Sequence, residues 1–203
     1  MHIEIVSCDS VILRYGTHID ESLLDRVQHD FLKLYGVEGF IEVVPSYASI
    51  WVRFDTTRYT LKSIQTKILS QLSLASGRRE DTSTILHEIP VDYTQGLDLE
   101  RIAAFAKLSV EDVITLHMEC TYRVYAIGFM VGFAYLGKVD ARIAMPRLDT
   151  PRHKVPKGAV AIANEQTAVY PKESAGGWNI VGVMAFEDFE KFKIGDRIRF
   201  VRI

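Results

Sequence analysis

The sequence predicts an α+β protein in which a small N-terminal α/β sandwich precedes a β-barrel. Three observations lead there. Over roughly the first 90 residues, apolar spacing switches between the helical and the strand period. From Tyr122 onward the helical period disappears, and beyond it glycines and prolines separate short apolar runs, the spacing of a barrel or sandwich.

The elements follow in order. Ile3 to Val6 and Val11 to Tyr15 read as short strands. A helix comes next: Asp20 is placed to cap it, Leu23, Val27, Phe31 and Leu34 recur along one face, and Gly36 supplies the left-handed residue that ends it. Phe40 to Val44 and Ser49 to Phe54 form a hairpin, since Pro45 stops the first run and Pro45-Ser46-Tyr47 suits a turn. Thr60 to Ser73 reads as a second helix with Leu61, Ile64, Ile68 and Leu72 on one side. The polar stretch Ser76 to Asp81 breaks this pattern before a strand at Ile85 to Val91. Turn chemistry from Asp92 to Gly96 places the domain boundary near residue 90, giving domains of residues 1–90 and 91–203. Two short helices open the second domain, one with a stripe of Leu99, Ile102, Ala103 and Ala106, the other started by a Ser109/Asp112 capping box and closed by His117. The later apolar runs, Val124 to Ile127, Val160 to Ala163, Ile180 to Gly182 and Arg197 to Val201, are barrel strands.

The composition narrows the function. Across 203 residues, 24 Lys plus Arg face 26 Asp plus Glu, a formal charge of -2, so there is no global bias toward nucleic acid or an anionic membrane, and any anion site has to be local. Cys8 and Cys120 lie far apart without CxxC or Cys/His spacing, which predicts reduced thiols and neither a disulfide nor a metal centre. The N-terminus has no basic segment leading an apolar stretch, and no run is long enough to span a bilayer; the expectation is a cytoplasmic protein. No GxxxxGK[ST] occurs, so no nucleotide site is expected on this chain alone.

A set of motifs in the second half has a family resemblance. In order they are Gly128-Phe129-Met130-Val131-Gly132-Phe133-Ala134-Tyr135-Leu136, Met145-Pro146-Arg147, Thr150-Pro151-Arg152, Val155-Pro156-Lys157-Gly158, Gln166-Thr167, Tyr170-Pro171, Glu173-Ser174 and Gly176-Gly177-Trp178-Asn179, ending at Gly195-Asp196-Arg197. Asp92-Tyr93, Gly96-Leu97-Asp98-Leu99-Glu100 and His117 extend the match upstream. This series resembles the family of the prokaryotic ATP-dependent 5-oxoprolinase B subunit, which also holds the kinase inhibitor KipI and allophanate hydrolase subunit 1. The resemblance implies a cyclophilin-like barrel and a hetero-oligomer with the C and A subunits of 5-oxoprolinase. It further implies that the complex opens 5-oxo-L-proline to L-glutamate using ATP, the chain being inactive alone. The alternative within the family is an interaction module that inhibits a sensor histidine kinase. Val131, Ala168, Ala175 and Val183-Met184 depart from the pattern, where proline, glycine, proline and Arg-Thr are usual.

The residues themselves suggest chemistry. Arg142, Arg147, Arg152, His153, Lys154 and Lys157 crowd a segment that Pro146, Pro151 and Pro156 hold extended. Because guanidinium offers a planar fork to carboxylate or phosphate, Arg147 and Arg152, in the matched Pro-Arg pairs, are the expected anion binders. Gln166, Thr167, Tyr170 and Ser174 are the other expected substrate contacts. His117 and Glu173 are the candidate acid and base. Trp178 reads first as a core residue and second as a stacking wall.

Overall fold

In the computed structural model the described residues are 1–18, 21–74, 84–184 and 187–203, so the cap expected at Asp20 and the polar stretch Ser76 to Asp81 lie outside them. The chain divides into two compact units, Met1–Ser83 and Thr84–Ile203.

The first unit contains β1 (His2–Ser7), β2 (Ser10–Arg14), α1 (Glu21–Leu34), β3 (Phe40–Pro45), β4 (Ser49–Phe54) and α2 (Leu61–Ser73). The strands form one antiparallel sheet in the order β1-β2-β4-β3. Alternation along β4 explains its orientation: Ile50, Val52 and Phe54 are buried while Ser49, Trp51 and Arg53 are only half covered. The buried set meets Val27 and Leu34 of α1 and Ile64 and Ile68 of α2 in one core. Thr60 and Ser63 make a reciprocal capping box that starts α2. At its other end, the Lys33 ammonium donates to the carbonyls of Leu72 (2.9 Å) and Leu74 (3.0 Å), placing a cation where the helix leaves acceptors unpaired. Gly36 takes φ +73° just after α1, as its position predicts.

The second unit comprises β5 (Leu86–Asp92), α3 (Leu99–Ala106), α4 (Val110–Glu119), β6 (Thr121–Ile127), β7 (Ala134–Gly137), β8 (Arg152–Val155), β9 (Ala159–Ala163), β10 (Gln166–Val169), β11 (Ser174–Gly176), β12 (Asn179–Met184) and β13 (Arg197–Arg202). The order β10-β7-β6-β13-β5-β12-β9 closes a barrel through the β9–β10 hairpin, and β8 pairs with β11 as a separate ribbon. The strand at Ile85 to Val91, expected in the first domain, belongs here. It runs parallel to β13 from Leu86 to Val91, pairs with β12, and buries Ile89 and Val91 in the barrel core. Periodicity identifies a strand but not its partner, and both of these partners lie about a hundred residues downstream.

Strict alternation gives the barrel wall two apolar faces. On β9, Val160 and Ile162 point inward, while Ala159, Ala161 and Ala163 pack in a different cluster outside. The inner core also takes the apolar faces of α3 and α4 through Leu99, Ile102, Val113, Ile114 and Leu116. His117 sits within it with no solvent exposure. Its ring stacks on Phe200 at 4.8 Å, and both nitrogens are bonded. Since the Thr167 hydroxyl donates to the Ala161 carbonyl (3.1 Å), it accepts from His117 Nε2 (3.1 Å), and Nδ1 then accepts from the Tyr93 hydroxyl (2.9 Å). The neutral Nε2–H tautomer satisfies every partner, and burial lowers the His117 pKa from 6.5 to about 3.

Asp98 joins α3 to the barrel wall. One carboxylate oxygen accepts from the Ile180 backbone N–H (2.7 Å) and the other from Arg152 Nη2 (2.7 Å), while the Asp98 N–H donates to the Ile180 carbonyl (2.9 Å). Gly96 permits this approach, since a Cβ there would collide with the Val181 carbonyl. The Asp98 side chain is 5% exposed and that of Arg152 27%, so removing one partner strands a largely desolvated charge.

Two outcomes follow. Asp98→Ala should lower unfolding free energy by about 3 kcal/mol or more, measured by urea denaturation, and a double variant with Arg152→Met should lose at least about 0.5 kcal/mol less than the sum of the single losses; strict additivity would dismiss the coupling. The His117 linkage has a definite sign. Its folded pKa lies below the unfolded one, so the unfolded chain binds the extra proton, and the contribution, complete above pH 6.5, is lost progressively as pH falls toward about 3. Between pH 6.5 and 4.5 the loss should be about 2–3 kcal/mol, and His117→Gln should flatten that slope relative to the parent; parallel pH profiles would refute it.

Candidate functional site

The outer face of the barrel wall carries an aromatic layer on a floor of small residues. Ala159, Ala161 and Ala163 of β9 and Ala168 of β10 expose no side chain longer than a methyl group, so rings can lie against the sheet. Phe133, Tyr135, Tyr170 and Trp178 occupy that space. Phe133 contacts the other three rings at centroid distances of 4.7 Å (Tyr135), 5.2 Å (Tyr170) and 6.1 Å (Trp178), and Tyr135 meets Trp178 at 6.0 Å. The tilted and edge-on arrangements are those the ring quadrupoles favour. Tyr170 is fixed further, because its hydroxyl accepts from the Trp178 backbone N–H. The missing side chain of Gly176 is required here, as a Cβ would strike the Tyr170 hydroxyl.

Arg147 lies on top of this layer. Its guanidinium carbon stands 5.6 Å from the Trp178 ring centroid, a cation–π arrangement. The side chain arrives on the extended segment after Pro146, which is held by the Leu148 N–H donating to the Gly177 carbonyl (2.7 Å) and by the Asn179 amide donating to the Pro146 carbonyl (2.9 Å). Arg147 is exposed and has no ion pair among the described residues. Burial raises the pKa of both Tyr135 and Tyr170, and in each the charge of Arg147 works against that rise. Arg152 acts on Tyr170 in the same sense, so both guanidinium groups flank that phenol. A fork already oriented by an indole loses little rotamer freedom on receiving a carboxylate or phosphate.

The expected site residues separate into three groups. Arg147, Arg152, Tyr170 and Gln166 come together on or beside the outer face, where Gln166 precedes Ala168 by one strand period. Thr167 and His117 point the other way, into the barrel interior, where His117 has no exposed surface, so the candidate acid or base lies buried behind the sheet and not on the outer face. Glu173 and Ser174 belong to the β8–β11 ribbon and the turn leading to it. Glu173 is exposed and pairs with Lys154 (3.2 Å), while the Ser174 hydroxyl donates to the Ala175 carbonyl (3.3 Å). The two arginines also differ: Arg147 is uncompensated, whereas Arg152 already holds the carboxylate of Asp98.

Elsewhere, a hollow of about 560 Å3 is bordered by Val131, Lys157, Glu187, Phe189 and Lys191, among others. Two of its three lysines are paired, Lys157 with Glu187 (2.6 Å) and Lys191 with Asp188, and it includes none of the expected site residues. The aromatic face has the stronger chemistry. Two of its contributors, Tyr135 and Asp98, are not among the site residues expected from the sequence, although both stand inside the matched motifs.

The chain is similar to known proteins over most of its length. The carboxyltransferase domain family, subdomain C and D, matches residues 1–194. The 5-oxoprolinase B subunit of Bacillus subtilis is 32% identical across 99% of this chain and 92% of its own length, and the Haemophilus influenzae protein of the same name is 40% identical over 56% of this chain and 58% of its own. Among solved structures, TTHA0988 superposes with a TM-score of 0.84 at 32% identity over 97% of this chain, which spans 40% of that longer chain. Urea carboxylase from Kluyveromyces lactis, at 13% identity and a TM-score of 0.73 over 96% of this chain and 21% of its own, shares the fold. With a family match covering nearly the whole sequence and a relative aligned end to end, the chain belongs to the carboxyltransferase subdomain C and D family, among proteins named as the B subunit of 5-oxoprolinase.

Proposed function

We propose that this chain is the B subunit of an ATP-dependent 5-oxoprolinase, a cytoplasmic hetero-oligomer completed by the C and A subunits, which opens the lactam of 5-oxo-L-proline to give L-glutamate. The observation that carries this reading is the end-to-end alignment with the Bacillus subtilis protein of that name. The free thiols of Cys8 and Cys120, and the lack of any helix long and apolar enough to cross a membrane among the described residues, are compatible with it.

Lactam opening requires an amide carbon made electrophilic, a base for water and donors for the charge that develops. ATP supplies the first of these to the complex; the sequence of this chain has no phosphate loop, and Gly128 and Gly132 stand in the turn between β6 and β7, not at the start of a helix. What this chain offers is binding and orientation. Arg147, with Tyr170, Gln166 and the rim residue Ser174, faces the substrate, and Glu173 is the exposed carboxylate at the same rim. His117 and Thr167 act from behind the sheet, where their hydrogen bond fixes β10, so His117 is a positioning residue.

The test is reconstitution. Glutamate release should require the chain together with the A and C subunits and ATP, and the isolated chain should turn over neither 5-oxoproline nor ATP. Robust turnover by the chain alone, or full turnover by the other two without it, would overturn the proposal.

A further inference from the structure

Arg147 combines properties seldom found together on a protein surface. It is cationic, exposed and without an acidic partner among the described residues, yet its side chain is ordered by an aromatic platform. Asp98 is engaged by Arg152 and Glu173 by Lys154, and the exposed Asp149, two residues on, makes no ion pair with Arg147. The alanine floor, the Gly176 contact with Tyr170 and the Leu148–Gly177 bond all serve to hold the platform in place. Trp178 is nearly buried at 5% exposure, and the guanidinium of the exposed Arg147 stands over its ring. Tyr135, half-buried beside it, adds an aromatic surface.

We infer that the Arg147–Trp178–Tyr135 cluster is a binding site on the isolated chain for a small monoanionic cyclic amide, and that it discriminates this substrate from its ring-opened product. The identity of the ligand rests on the 5-oxoprolinase reading. The carboxylate pairs with the Arg147 fork, and the flat ring lies against Tyr135. Hydrolysis breaks the ring C–N bond, places the oxygen of one water on the former amide carbon as a second carboxylate, and leaves an ammonium group on the carbon that bears the bound carboxylate. That new cation stands beside Arg147 while the new carboxylate is carried to the far end of the opened chain, so local repulsion at the Arg147 fork weakens binding after the reaction and favours release.

The experiment uses the full chain with Trp51→Phe, which leaves Trp178 as the only tryptophan and its emission as the readout. Titration with 5-oxoproline should change the emission saturably. 2-Pyrrolidone, which lacks the carboxylate, and glutamate, which carries the ammonium, should each bind at least tenfold more weakly. Arg147→Ala should weaken 5-oxoproline binding at least tenfold and Arg147→Lys should recover only part of it, while Lys157→Ala changes nothing; thermal melts verify that each variant is folded. Equal binding of 2-pyrrolidone and 5-oxoproline, or a folded Arg147→Ala that binds like the parent, would overturn the site. Failed reconstitution with carboxylate binding intact counts against the 5-oxoprolinase assignment alone. An active complex whose isolated Arg147-bearing chain shows no saturable response counts against the site alone.

Discussion

The carboxylate of Asp98 is the constraint on which the second unit depends. It closes a two-way hydrogen bond with Ile180 of β12 and, through its other oxygen, holds Arg152 at the start of β8. The start of α3, a barrel strand and the ribbon are thereby set relative to one another by a single side chain. A desolvated charge pair is weak evidence of net stabilisation compared with an apolar substitute, but it is demanding about geometry, because either member left alone is costly. That demand suits a position beside the binding face. The ribbon carrying Gly176 must stay in register with β8 for Tyr170 to keep its place, and Gly176 is the register partner of Arg152.

The two faces of one barrel wall divide the work. Inward residues of β9 and β10 build a packed core with a neutral histidine at its centre; outward ones are nearly all alanine and leave space for a second aromatic layer. Because the strand period is two, Thr167 and Ala168 serve different cores though adjacent in sequence. The inner histidine network therefore supports the outer face without touching anything bound there. A substitution at His117 is transmitted through Thr167 into β10, the strand that carries Ala168 and Gln166.

Much of this architecture is legible in the sequence, and the gaps have physical causes. Helix faces such as Val27 and Leu34 or Ile64 and Ile68, the capping box at Ser109 and the φ > 0 position at Gly36 are local matters, decided within one or two turns of chain. β5 reads as part of the first domain because strand pairing is nonlocal and periodicity carries no trace of β12 or β13. The candidate site is half visible for the same reason. Motif order points to Arg147, Arg152 and Tyr170, but which face of the wall each one serves depends on register. Thr167 and His117 are expected beside a substrate, and register turns them inward. Trp178 reads as core before wall, and it packs in the aromatic core layer with a guanidinium over its ring.

The pair of Pro-Arg motifs shows where the motif itself stops being informative. Arg147 and Arg152 follow prolines five residues apart on one extended segment, and by composition they are equivalent. Their fates differ because of what each can reach. Arg152 enters the ribbon at β8 and finds Asp98, so its charge is used in holding the fold; a second anion there would compete with a carboxylate that is already desolvated. Arg147 sits between two strands on the loop tied down at Leu148, finds only an aromatic face, and keeps its charge available. A cation–π contact orders a guanidinium without neutralising it, which an ion pair cannot do. The division of labour between the two arginines therefore follows from the difference between an indole and a carboxylate as neighbours: one prepares a cation for binding, the other consumes it.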